Sequence, residues 1–270
     1  MDIANPITLT RHPMGVAPQA RSATAGKPYA RWARHLDDVR HAQRLRHTVF
    51  ATEMGAHLTT WPGLPSGLDV DRFDEHCEHL LVWAPETDDA PAEVIGTYRV
   101  LTPAGARQAG GWYSEGEFDL HPLRPHAHRV AELGRSCTAA GWRQGGVILM
   151  LWTSLAEFMQ RNGLSLMMGC ASVPMHDGGH SAASLWHRLQ QGDHLAPPSL
   201  RVTPRLPLPV GRLRNDLPAE APPLIKGYLR CGARLLGAPA WDPDFGVADL
   251  PMMLDLAEMN AQYKARLLKA

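Results

Sequence analysis

Residues 132–152 read ELGRSCTAAGWRQGGVILMLW, a β-type run, a glycine-rich turn and an apolar run in succession. Its first part belongs to RVAELGRSCTA (129–139), which reads as a strand. A turn follows, GWRQGG, carrying Gly141, Gly145 and Gly146. A strongly apolar run from about Val147 to Asn162 then reads as a helix, which Gly163 stops. Backbone N–H groups at such a turn have no helical partners and carry partial positive charge. They suit a pyrophosphate or a pantetheine phosphate, and Arg143 adds a charged clamp.

The pattern continues outward in both directions. LSLMMGCASV (164–173) is the next strand, and HLLVWA (79–84) with EVIGTYRVL (93–101) forms an antiparallel hairpin around the acidic PETDDAPA. Residues 1–28 mix Pro, Gly, Ala and Arg without period, a poorly ordered lead-in. Arg31 to Thr52 is helical in spacing, and WPGLPSGLD (61–69) is a loop. Downstream, SAASLWHRLQQ (181–191) is a short helix, and proline-rich connectors follow. IKGYLRCGARLLG (225–237) reads as helical and WDPDFGVAD (241–249) as a structured turn. PMMLDLAEMNAQYKARLLK (251–269) reads as a final helix with Pro251 at its start and Met252, Leu256, Met259, Tyr263 and Leu267 at helical spacing. Packing on the core is its main expected role, with membrane-surface docking as the alternative. Strands, a Gly-rich turn, a helix and a strand make a mixed α/β (α+β) layered fold. The expected organisation is a lead-in (1–30), a core (31–192) and a C-terminal extension packing on the core (193–270).

Composition narrows the class. The 270 residues carry 27 basic and 27 acidic side chains, so no global charge points to nucleic acid. Locally, residues 1–47 hold eight Lys/Arg against three Asp/Glu, whereas 52–93 hold one Arg against ten acids. The first suits an acidic partner and the second an amine, if neither is merely solvated surface. The four cysteines form no CxxC and read as buried reduced thiols, Cys77 in the polar DEHCEH run being the exception. The longest apolar stretch, around VILMLW, is too short to span a bilayer, and the N-terminus lacks an apolar signal region. A cytoplasmic, soluble or peripheral protein is expected. HDGGH (176–180) sits in a glycine loop without a third ligand, and the side chains of DEHCEH (74–79) do not converge, so no metal is expected. No GxSxG is present, and no His is followed five positions later by Asp.

The turn resembles the cofactor-binding signature of the GCN5-related N-acetyltransferase superfamily, Arg/Gln-x-x-Gly-x-Gly/Ala. Arg143 and Gly146 match its first and fourth positions, while Ile148 stands where Gly or Ala is usual. That departure suits a thioester carrier other than acetyl-coenzyme A. Over roughly residues 40–250 the chain resembles the ornithine-lipid Nα-acyltransferases more closely. The matching segments include LRHTVFATEMGA (45–56), FDEHCEHLLVW (73–83), GWYSEGEFDL (111–120), ELGRSC (132–137), PPLIKGYLRCGA (222–233) and DPDFGVAD (242–249). The resemblance implies a mostly antiparallel central sheet flanked by helices, with a C-terminal extension. It also implies transfer of a 3-hydroxy fatty acyl group from acyl carrier protein to the α-amine of L-ornithine, giving lyso-ornithine lipid. No cofactor would be tightly bound, the donor being the carrier's acyl-phosphopantetheine thioester. A lipid product allows peripheral contact with the inner membrane surface. The same frame is similar to acyl-homoserine lactone synthases in Arg46, Phe50, Asp69, Asp71, Asp74, Arg99, Glu132 and Arg135, but YSEGEFDL and PPLIKGYLR do not fit that family. An acyltransferase for another amino acid and a non-enzymatic carrier-binding module remain the other readings.

Amide formation needs a neutral amine at the thioester carbonyl, a base for its proton and donors for the oxyanion. Glu132, an acid in an apolar strand, is the candidate base. Arg99 or Arg135 would pair the acceptor's carboxylate, and Asp71, Asp74 or Glu75 its second ammonium. Arg46 and Phe50 join the substrate-binding set. The carrier's pantetheine falls to Cys137, Thr138, Arg143, Gly145, Gly146 and Val147, with a backbone N–H near Cys137 or Thr138 holding the oxyanion.

Overall fold

The computed structural model describes residues 26–58, 63 and 65–268. The expected lead-in lies outside these residues up to position 25, as do Trp61, Pro62 and Leu64 of the expected loop. The chain order begins with β1 (Tyr29–Trp32), α1 (Leu36–His47), β2 (Glu78–Ala84), β3 (Glu93–Leu101), α2 (Pro103–Ala109), β4 (Phe118–Asp119), β5 (Val130–Thr138) and α3 (Gly146–Arg161). It continues with β6 (Leu166–Pro174), α4 (His180–Gln191), β7 (Thr203–Pro204), α5 (Pro223–Cys231), β8 (Arg234–Leu235), β9 (Ala240–Asp242), β10 (Val247–Asp255) and α6 (Ala261–Leu267). The main sheet runs β1-β2-β3-β5-β6-β10-β8, with β9 also on β10. Every pairing in it is antiparallel except β5 with β6.

The hairpin strands are buried on both faces, so alternate side chains feed two cores. Leu80, Val82, Ala84 and Ile95 pack under Val147, Leu151 and Leu155 of α3. Leu81, Trp83 and Val94 meet Ala42, Leu45, Val49 and Phe50 from α1 and the π-helical turn that continues it through Glu53. The α3 backbone comes close to the sheet at Gly96, where an added Cβ would sit 2.4 Å from a Val147 methyl. That residue is therefore fixed by packing.

Three expectations change. The helix expected from Arg31 begins at Leu36, because Tyr29–Trp32 pairs with β2 as an edge strand. The run 225–237 is helical only to Cys231; Gly232, at φ +104, ends α5 in the left-handed region, and Arg234–Leu235 joins the sheet. The final helix expected over 251–269 is a nine-residue strand and then a short helix, with Lys269 outside the described residues. Residues 247–254 are all buried, which suits an interior strand and leaves no polar face for a surface helix. Pro251 sits within that strand, and its carbonyl accepts from the Leu236 N–H at 2.7 Å. Residues beyond 192 thus supply β8, β9 and β10 of the same sheet. Among the described residues no helix is long and apolar enough to cross a membrane.

Candidate active site

The β5–β6 pairing covers only Val130–Glu132 against Leu166–Met168. Beyond it, β5 stays with β3 and β6 stays with β10, so the two strands part. A cleft of about 650 Å³ opens at this fork, lined by Leu133 to Thr138 on one side and Cys170 and Ser172 on the other. Glu132 stands at the last parallel pair, at the closed end of the fork, and also lines the cleft.

Glu132 is buried, and both its oxygens are held. Oε2 accepts from the Tyr113 N–H at 2.6 Å, and Oε1 accepts from the Ser114 N–H at 2.8 Å and the Ser114 hydroxyl at 2.5 Å. Burial raises its pKa, and the donors from Ser114 and Tyr113 oppose that rise. The Tyr113–Ser114 turn was not singled out as a site element, although YSEGEFDL marks it in the sequence.

Arg135 is the one described non-glycine residue at positive φ, +51, beside a shift in the β3–β5 register. This bulge directs its guanidinium across the cleft wall. It donates to Asp69 at 3.2 Å, Asp71 at 3.3 Å and the Tyr113 hydroxyl at 3.1 Å, lying against the Tyr113 and Phe245 rings. Arg99 pairs Asp71 at 2.6 Å and Asp74 at 2.9 Å. Arg46, fully buried, pairs Asp69 at 2.7 Å and Asp74 at 2.8 Å. Three arginines and three aspartates thus neutralise one another. Burial alone would raise the Asp74 pKa, but Arg46 and then Arg99 hold it well below the usual carboxylate range.

This arrangement redistributes the expected site residues. Phe50, Arg99, Glu132, Arg135, Cys137, Thr138 and Arg143 line the cleft. Arg46, Asp71 and Asp74 do not; they lie behind it, committed to the ion network. Glu75, next to Asp74 in a single 3₁₀ turn, points the other way, its side chain 78% exposed. Val147 packs its side chain into the core against Gly96. Gly145 and Gly146 form the turn into α3 without lining the cleft, and an added Cβ at either would meet nothing. Arg143 donates to the Thr138 carbonyl at 3.1 Å and pairs with Glu53, tying the turn to the π-helical segment. Burial pushes the Cys137 thiol up to about 12, so it offers no thiolate.

Three cleft residues were missed as candidates. Glu117, Asp242 and Asp249 bring carboxylate oxygens within 4.8 Å of one another. A smaller apolar cavity of about 70 Å³, rich in methionine, shares Tyr98, Leu133, Trp152, Cys170 and Tyr228 with the cleft. The Tyr98 and Tyr228 hydroxyls are hydrogen-bonded in this shared wall, and Trp152 stacks on Tyr228 at 5.5 Å.

Known proteins give the arrangement a context. Residues 45–153 match the family model for the acetyltransferase (GNAT) domain. The chain is 32% identical over 242 residues to the L-ornithine N(alpha)-acyltransferase of Rhizobium meliloti (strain 1021), covering 86% of this chain and 81% of that one. It is 34% identical over 247 residues to the enzyme of the same name from Brucella abortus (strain 2308), covering 83% of each. The structure of BjaI, a CoA-dependent acyl-homoserine lactone synthase, matches with a TM-score of 0.52 over 90% of this chain and 89% of that one; at 17% identity this is a likeness of fold. The extent and identity of the two curated matches make this chain an acyltransferase that belongs to the L-ornithine N(alpha)-acyltransferase family.

Proposed function

We propose that the protein moves a 3-hydroxy fatty acyl group from acyl carrier protein to the α-amine of L-ornithine, forming lyso-ornithine lipid. The observation that carries this reading is Glu132, buried at the closed end of a cleft between two parted strands. The donor's pantetheine arm lies along β5 from the Arg143 turn, where Thr138 and Arg143 line the cleft. Ile148 lines it too, which favours a donor held differently from acetyl-coenzyme A. The acyl tail enters the apolar cavity behind Tyr98, Trp152 and Tyr228. Its methionines adapt to a flexible chain.

The acceptor's carboxylate faces Arg99 and Arg135, the two arginines of the ion network that line the cleft. Glu132 takes a proton from the amine, directly or through one water, and burial, by raising its pKa, makes it the stronger base. The amine nitrogen attacks the thioester carbonyl. Backbone N–H groups near Cys137 and Thr138 hold the oxyanion, and collapse expels the pantetheine thiolate. The reading includes peripheral contact of this cytoplasmic enzyme with the inner membrane surface, where its lipid product belongs.

Purified protein incubated with 3-hydroxyacyl carrier protein and a panel of amino acids tests the proposal by product mass. Acyl-ornithine is the expected product; acylation of another amine alone, or carrier binding without turnover, overturns the ornithine assignment. Glu132→Gln should lower kcat by about 10²–10⁴-fold with little change in carrier affinity. Unchanged kcat would remove Glu132 from the chemistry.

A further inference from the structure

The segment PPLIKGYLR (222–230), which does not fit the acyl-homoserine lactone synthases, supplies most of α5. Pro222, Pro223, Leu224 and Tyr228 line the cleft. Gly227 lets α5 approach α3 closely, since an added Cβ there would sit 2.5 Å from the Trp152 ring. Trp152 in turn stacks on Tyr228. The Tyr228 ring is thereby held in the wall shared by the cleft and the apolar cavity, and its hydroxyl is hydrogen-bonded to that of Tyr98 from β3.

The two faces of β3 divide the cleft by chemistry. Arg99 lies on the face where Asp71 and Asp74 neutralise it. Tyr98, its neighbour in the strand, lies on the opposite face and packs in the core that Val147, Leu151 and Leu155 of α3 help to form. In the reading above, the first face takes the charged acceptor and the second leads to the methionine-rich cavity. No charged side chain lines that cavity among the described residues, and the hydroxyls in its wall are those of Tyr98 and Tyr228.

Two phenylalanines would supply the same apolar surface, and a hydroxyl set into such a wall needs partners. The pair spends one proton on its own hydrogen bond. Lone pairs remain on both oxygens, so a further hydroxyl can donate to it. A ligand that completes the pair is a neutral hydroxyl carried on an apolar chain. Its place on the chain follows from the reaction: with the thioester carbonyl beside Cys137 and Thr138, carbon 3 is two bonds further on, where the chain leaves the cleft for the cavity.

We propose that Tyr98 and Tyr228 bind the 3-hydroxyl of the acyl donor and make the enzyme select hydroxylated over unsubstituted chains. The proposal rests on the acyl-transfer reading above and adds to it the residues that set donor specificity.

The test compares a 3-hydroxyacyl carrier protein with the saturated acyl carrier protein of the same chain length, ornithine being the acceptor in both. Product is quantified by mass for the wild-type chain, Tyr98→Phe and Tyr228→Phe. The wild type should prefer the hydroxylated donor by at least about tenfold in kcat/KM, and each variant should cut that ratio to below about threefold, mainly through a raised KM for the hydroxylated donor. The ratio is taken within each variant, so a general loss of packing slows both donors alike and leaves it standing. A ratio that survives both variants overturns the hydroxyl site while leaving ornithine acylation in place, and so does a ratio near one in the wild type. If neither donor acylates ornithine, the functional reading falls and takes this site with it.

Discussion

Two groups of three carboxylates are built into this acyltransferase, and their surroundings are opposite. Asp69, Asp71 and Asp74 lie behind the cleft with three arginines threaded between them. Glu117, Asp242 and Asp249 face the cleft with no ion pair among the described residues. The first group resembles a closed ledger of charge, positioning Arg99 and Arg135 for the cleft. In the second, burial and then mutual repulsion push Glu117 and Asp249 well above the usual carboxylate range. The titration of an acidic residue in this protein is therefore set by its nearest cation, and carboxylate count alone does not separate a neutralised group from an unneutralised one.

Removing a cation from the paired group should break it. Arg46→Met leaves Asp69 and Asp74 buried with less compensation, and breaking such a buried pair costs about 3–5 kcal/mol. Urea denaturation measures this as a lower midpoint with the same slope. A loss under about 1 kcal/mol would mean that Arg99 and Arg135 alone balance the aspartates.

The pH dependence should then separate the groups by sign. Asp74 is held below its unfolded value, so it contributes stability above about pH 4 that disappears as pH falls towards its folded value. Asp74→Asn should therefore be less stable than wild type at pH 7, with the gap closing in acid. Glu117 is held above its unfolded value, so the folded state keeps a proton that the unfolded chain releases. Stability falls as pH rises from about 4 through the raised folded value. Glu117→Gln should accordingly be more stable than wild type at pH 8, on the order of 1 kcal/mol, and equal to it near pH 4. Melting curves across pH check both. Parallel profiles for the two variants would erase the distinction between the groups.

The same contrast explains what could be read in the sequence. The hairpin, β5, α3 and β6 were legible because apolar runs and bounding glycines agree with their tertiary setting. β10 was not, since an interior strand buried on both faces has no alternation, and Pro251 imitates a helix start. That misreading hid Asp249. A lone acid in an apolar strand singled out Glu132, and the same signal exists in VADLPMML once it is seen as a strand. The ion pairs of Asp71 and Asp74 were hidden for another reason. Their arginine partners are 25 to 64 residues distant in sequence, and spacing does not say which acid is neutralised by which base.

Glu75 is the control that belongs to neither group, and it carries the smallest expected effect. It was expected among the ammonium ligands because it adjoins Asp74 in an acidic run. Its side chain is 78% exposed, and its contact is His76 at 3.4 Å in the same turn. An exposed pair of this kind contributes little, and substitutions at such positions stay within about 0.5 kcal/mol. Glu75→Gln should leave the urea midpoint and the ornithine KM where they are, against the shifts in stability expected at Arg46 and Glu117. A changed ornithine KM with an unchanged midpoint would place the second ammonium on the β2 side of the cleft and give an exposed acid a role that neither carboxylate group has.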